Sequence, residues 1–307
     1  MKKNIITCFA LLMMSVLSVN GEPVILALHH NGNVTFYYDY QFDDAQKSAI
    51  EGDTIYFSEG IYHGGINIGK RIHIIGGGQK TIITGGVGIT IETDSPLEGF
   101  LLENLTIQGS LSVSYRDIDG LRMRKVYAKE SGMRWHITGE CTATNCLFDR
   151  CYFPSAGLGG MNNAVFVNCK ISGFHSYANG TSAIQFINCN VKCSEWNNAT
   201  YKNCIISCEN FIGYAENCLI NTATSTDNSL ANCYTYNNNL LDDSLECVLT
   251  DNELTSYLGT DGTIVGCYGG ETPFTLTPTT PRVLEKTVTL DKVKKTLKVD
   301  IKVGTDN

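Results

Sequence analysis

The chain has 307 residues, a formal net charge of −8 and only 18% charged residues. That balance argues against nucleic acid or an anionic membrane surface as the main partner, since both call for a broad basic face. It still allows an anionic glycan held in a local basic groove. Thirty glycines against six prolines, with abundant Asn and Thr, suit an exported β protein.

Residues 1–21 read as a signal peptide: Lys2 and Lys3, an apolar run from Ile5 to Leu17, and a small-residue site at Val19-Asn20-Gly21. The expected location is therefore periplasmic, cell-surface or extracellular, and no other apolar run is long enough for a membrane span. Residues 22–54 read as a starting cap. VTFYYDY alternates as a strand, and FDDAQKSAI follows as a short helix with Asp43 or Asp44 at its N-cap. Phe42, Ala45, Ala49 and Ile50 give that helix one apolar side. The His29-His30 pair before it reads as exposed leader.

From residue 55 to 268 the chain repeats. Asn145-Cys146, Asn168-Cys169, Asn188-Cys189, Asn203-Cys204, Asn217-Cys218 and Asn232-Cys233 recur at steps of 23, 20, 15, 14 and 15 residues. Each lies between short alternating apolar stretches, as in AVFVNCKI. A period near 20 residues marks a stacked solenoid. Asn tolerates the left-handed region and turns the chain between two short strands. Stacking at about 4.8 Å then lets Asn side chains bond up the column and thiols fill the corner inside it. FLLENLTI bends at Asn104 and LRMRKVYA at Lys125, which extends the column backwards. Twelve cysteines remain after the leader. Parallel Cβ vectors in one register favour buried free thiols, with disulfides as the other reading. No metal or cofactor is expected, because no CxxC pair occurs and the C-x3-C pairs lack nearby histidines.

The run AIEGDTIYFSEGIYHGGINIGKRIHIIGGG and the later F-x-N-C-x-I rungs resemble the pectate-lyase-like right-handed parallel β-helix proteins, including secreted ones of Gram-negative bacteria. The likeness covers residues 36 to about 268. It implies an all-β, right-handed single-stranded parallel β-helix with an N-terminal helical cap. It does not choose an activity, since that superfamily holds lyases, hydrolases, esterases, adhesins and proteins with no known reaction. The aspartate triplets of calcium-dependent pectate lyases and the NTD, GHG and RIK motifs of polygalacturonases are absent.

TPFTLTPTTPRV carries three Thr-Pro steps and cannot continue a sheet interior, so 269–284 reads as a linker. TVTLDKVKKTLKVDIKV reads as a β-hairpin turning near Asp291–Lys295, giving a tail over 285–307 that contacts the β-helix or another chain.

In a β-helix, chemistry belongs to side chains outside a sheet face. Counting back from each bend gives an outer column of Leu101 and Glu103, Arg122 and Arg124, Thr142 and Thr144, Val165 and Val167, Gln185 and Ile187, and Thr200 and Lys202. The segment YRDIDGLRMRKVYAKESGMRWH is the most ionic stretch of the central region. Glu103, Arg122, Arg124, Arg134 and His136 are the candidate substrate-binding residues, arginines being matched to uronate carboxylates. Paired charges on a wetted strand face are the ordinary alternative. Asp117 with Asp119 offers a carboxylate pair for hydrolysis. Trp135 reads as core, Trp196 as an exposed turn, and His175 with Tyr177 as a loop. Three functions remain open: polysaccharide binding, a lyase or hydrolase acting on a uronate-containing glycan, and a structural or adhesive rod. No catalytic residue is assigned.

Overall fold

The structure, a computed structural model, describes residues 25–91, 101–114, 118–129, 133–136, 143–157, 161–175, 183–193, 199–211, 213–225, 229–235, 256–276, 282–291 and 296–304. The leader, Arg116, Asp117, Trp196 and the 176–182 loop lie outside them. So do the side chains of Arg134, Trp135, His136 and His175. The chain is mostly strand, and 26 strands join one hydrogen-bonded sheet that winds as a parallel solenoid.

Each coil contributes short strands to three faces. Face 1 runs from Thr54–Phe57 through His73–Gly76 to Ser229–Ala231. Face 2 runs from Gly60–Tyr62 through Thr81–Ile83 to Tyr234–Thr235. Face 3 runs from Ile66–Ile68 through Val87–Ile89 and Leu111–Ser114 to Met133–His136 and beyond. Parallel register places like on like, and the interior of face 1 becomes a column of rings. Phe148 stacks on Phe166 at 4.5 Å, Phe166 on Phe186 at 5.0 Å, and Phe186 on Tyr201 at 5.0 Å. Those distances match the strand spacing, so one alternation rule sets both the sheet and its core.

Faces 1 and 2 meet at a corner where one residue per coil is left-handed. Its members are Asn104, Lys125, Arg150, Asn168, Asn188, Asn203, Asn217 and Asn232, with φ between 50° and 56°. This corrects the register expected from the Asn-Cys dipeptide. Arg122 pairs with Leu147 and Arg124 with Asp149, so Arg150, not Asn145, follows Lys125. Asn145 belongs to a second corner with Gly120 and Asn163. Coils here turn twice in the left-handed region, which the dipeptide count merges into one column. Leu147 and Asp149 therefore take the outer positions expected for Thr142 and Thr144.

The residue after the first corner is the thiol column Cys151, Cys169, Cys189, Cys204, Cys218 and Cys233. The left-handed turn aims the backbone N–H groups of the first five at the sulfur one coil on, as Cys151 to Cys169 at 3.4 Å, Cys169 to Cys189 at 3.4 Å and Cys204 to Cys218 at 3.3 Å. Each thiol in turn donates to a nearby carbonyl, as Cys169 does to Val167 at 3.3 Å. Sulfur thus satisfies a buried donor and a buried acceptor in a corner too tight for water. The nine cysteines whose side chains are described are unbridged, including Cys146, Cys208 and Cys267. Burial pushes the thiols of Cys151, Cys169 and Cys189 far above their usual range, and that of Cys146 up to about 12.

At the start, Ile25–His30 pairs antiparallel with both Asn33–Tyr38 and Thr54–Phe57. The two histidines are therefore strand residues rather than exposed leader, and His30 Nδ1 lies 2.8 Å from Asp53 Oδ2. The helix spans Phe42–Ser48 with Gln41 at its N-cap, so Asp43 and Asp44 fall in its first turn instead. Phe42, Ala45 and Ala49 are buried, while Ile50 is 54% exposed.

Residues 256–276 are not coils. They run back along the outside of face 2 as a strap. Thr260 meets Asn203, Cys267 meets Asn168 and Asn190, Tyr268 meets Lys170, and Leu276 reaches the groove lined by Gln79 and Ile82. Arg282–Asp291 and Thr296–Gly304 form a separate antiparallel pair.

Candidate functional site

The expected ionic spot on face 1 exists and is closed on itself. Arg124 Nη2 donates to both oxygens of Glu103 at 2.8 Å, and Glu103 is buried. Asp149 sits one coil further on and is bonded to Arg150. Lys125 lies between these charges at the corner. Burial, then Arg150 and Arg124, lowers its ammonium to about 8. At 3% exposure Lys125 has no route to a polymer. Arg122 is exposed on the same face. Arg134 and His136 belong to Met133–His136 on face 3, away from the other three. The structure therefore joins Glu103 with Arg124 and separates the remaining candidates. Asp119 is bonded to Thr144 at 2.9 Å and Asn145 at 2.7 Å, within the second corner. Among the described residues no group of three or more His, Cys, Asp or Glu is placed to hold a metal ion, and no helix is long and apolar enough to cross a membrane.

A different place has the shape of a site. The strap leaves the N-terminal part of face 2 uncovered, and between the two lies an open groove of about 610 Å³. Its floor is the outward column of face 2: Ile82, Thr106, Tyr127 and Lys170, flanked by Gln79, Gln108 and Lys129. Its far wall is Tyr268 and Phe274 with Thr275 and Leu276.

The strap holds its course because the corner asparagines grip it. Asn168 Nδ2 donates to the carbonyls of Cys267 at 3.1 Å and Gly269 at 2.7 Å. Asn188 reaches Asp261, and Asn203 donates to Thr260 Oγ1 and accepts from the Thr260 amide. These side chains were expected to bond up the column; the strap takes them instead, because its carbonyls sit directly against the corner. Gly270, at φ +78°, passes so close that a Cβ there would meet Asn188 Nδ2 at 2.2 Å.

Lys170 is the pivot between floor and wall. It is 2% exposed, and its ammonium donates to the Tyr268 hydroxyl while lying 4.7 Å from the Tyr268 ring centroid and 4.9 Å from that of Phe274. Two ring faces and a hydroxyl replace the water that a buried cation loses. Tyr127 stacks on Tyr152 at 4.7 Å, which fixes its ring on the floor. The groove thus combines ring surfaces, two amides, hydroxyls and the exposed ammonium of Lys129, and among the described residues no carboxylate lines it.

Of these residues, Tyr127 and Lys129 lay within the ionic segment singled out from the sequence, and Lys129 alone is one of its charges. The floor was missed because outward positions were counted only before each bend. Tyr127, two residues after Lys125, was legible by the same alternation. No family model, curated protein or solved structure matches this chain.

Proposed function

We propose that this chain is an exported, right-handed parallel β-helix protein, capped by its Phe42–Ser48 helix, that binds polysaccharide in the groove between face 2 and the strap. The observation that carries this reading is the groove's lining. Rigid aromatic faces at Tyr127, Tyr268 and Phe274 suit the apolar faces of sugar rings. Gln79, Gln108 and Thr106 supply hydroxyl partners, and Lys129 suits a sugar that carries a carboxylate or sulfate.

The reading predicts retention of the protein on an immobilised glycan from a panel of neutral and uronate polymers. Tyr127→Ala weakens retention by about tenfold, or roughly 1.4 kcal/mol. Arg122→Ala leaves retention unchanged. Equal retention of wild type and Tyr127→Ala contradicts the groove. Absorbance at 235 nm in the same panel reads the alternative, a uronate lyase, directly.

A further inference from the structure

The start of the solenoid carries an edge that the groove does not use. Ile25–His30 turns back into Asn33–Tyr38 through Asn31 and Gly32, at φ 47° and 82°. Two central residues at positive φ make a type I′ turn, which closes on a bond from the Asn33 amide to the His30 carbonyl. Along an antiparallel pair, bonded positions alternate with unbonded ones. Asn33, Thr35 and Tyr37 therefore face Ile25–His30, and the backbone groups of Val34, Phe36 and Tyr38 face away from it. The Tyr38 amide follows this rule: it donates to Gln41 Oε1 at 3.0 Å, outside the ladder. Among the described residues Asn33–Tyr38 pairs with no further strand, so Val34 and Phe36 present an open edge that Gln41 ends.

The side chains along this edge are aromatic and wet. Phe36 is 51% exposed, Tyr38 49% and Tyr40 78%, and Tyr40 stacks on Tyr38 at 5.9 Å with 9° between the planes. Phe57, Phe148, Phe166 and Phe186, by contrast, are buried in the core. Phe36 lies opposite Ala27, which packs with Tyr56 in a small cluster apart from that core, so these rings are on the outside of the sheet. Phe36 and Tyr38 are two residues apart on one strand face, a repeat of roughly 6.7 Å. The surroundings are acidic. Residues 33–47 hold Asp39, Asp43 and Asp44 against Lys47 alone, and Asp43 and Asp44 are exposed.

These properties select one occupant. Open backbone groups on a strand edge pair with an extended peptide and not with a sugar polymer. Exposed ring faces take Lys or Arg side chains, and the carboxylates favour the same charge. An added strand repeats its side chains at the spacing of the rings below it. We propose that Asn33–Tyr38 is a docking edge for an extended basic segment of a partner protein, which adds as one more strand and lays alternate Lys or Arg side chains over Phe36, Tyr38 and Tyr40.

The test titrates the full chain into a labelled synthetic peptide that alternates Lys and Thr, read by fluorescence anisotropy. Saturable binding that weakens as salt rises is expected. The same peptide with Glu in place of Lys, or with its edge-facing backbone amides N-methylated, should bind at least about tenfold more weakly. Tyr38→Ala with Tyr40→Ala, and separately Asp43→Asn with Asp44→Asn, should each weaken the Lys peptide by about tenfold. If the ring variant fails to fold, the N-methylated peptide on the wild type still decides. Absence of binding, equal binding of the Glu peptide, or indifference to N-methylation overturns the proposal. So does retention on a neutral glycan that only the ring variant loses, which would give these rings to sugar.

Discussion

The two left-handed corners use the same residue for different ends. At the first corner Asn168, Asn188 and Asn203 are 1%, 6% and 3% exposed, and their side chains hold the strap. At the second corner Asn145 and Asn163 are exposed, and Asn163 Nδ2 bonds up the stack to Asn145 Oδ1. The backbone demand is shared, since both need φ near +50° to +57°. What differs is the cover. A corner open to water spends its amides on its neighbour, whereas a covered corner spends them on what covers it.

Asn168→Ala is the sharpest way to break that comparison. It adds left-handed strain of about 1–2 kcal/mol and strips bonds from two buried carbonyls, a further ~1–3 kcal/mol. Asn163→Ala carries the strain and loses only a solvent-exposed bond to Asn145, so urea melts of the two variants should separate by at least about 1 kcal/mol. Asn168→Gly keeps the turn and loses the grip, which isolates the strap's share. Equal destabilisation at both corners contradicts the account.

Next in size is the face 1 ion pair. Arg124→Ala strands a buried carboxylate at Glu103 and should cost about 2 kcal/mol in the same melts. Exposed Arg122→Ala should change stability by less than about 0.5 kcal/mol. The thiol column can be tested in the same melts. Cys169→Ala leaves the Cys151 amide without its sulfur acceptor and should cost about 1 kcal/mol.

The smallest effect is a pH dependence. Lys125 gives up its proton near 8 in the folded chain against the usual 10.5, so between those values the unfolded chain binds more protons. Stability attributable to this group therefore rises with pH through that window. Lys125→Asn suits the left-handed corner and removes the slope. Thermal melts at pH 7.5 and 9.5 of both chains check the sign.

The solenoid was legible because strand alternation and left-handed Asn leave a period that survives changes in coil length. The register failed at one coil, where Arg150 stands in the Asn position and Asn145-Cys146 imitates it from the other corner. The strap was illegible for a related reason. Val265-Gly266-Cys267-Tyr268 looks like one more rung, and only the strap's bonds to Asn168, Asn190 and Asn203 show that it lies outside the coils. The groove depends on that strap, so the counted outer face missed it. The ionic candidates were legible as residues but not as a closed pair.

Amide hydrogen exchange over 256–276 tests the central claim, that the corner asparagines fix the strap and so build the groove. The Gly266 amide donates to the Asn203 carbonyl at 2.8 Å, and the Cys267 amide to Asn190 Oδ1 at 2.9 Å. In the wild type both should be protected as well as the Asn188 ladder amide, which donates to the Lys202 carbonyl at 2.9 Å. In Asn168→Ala with Asn203→Ala, strap protection should fall while that of Asn188 persists. A wild-type strap that exchanges as fast as free peptide would contradict the account.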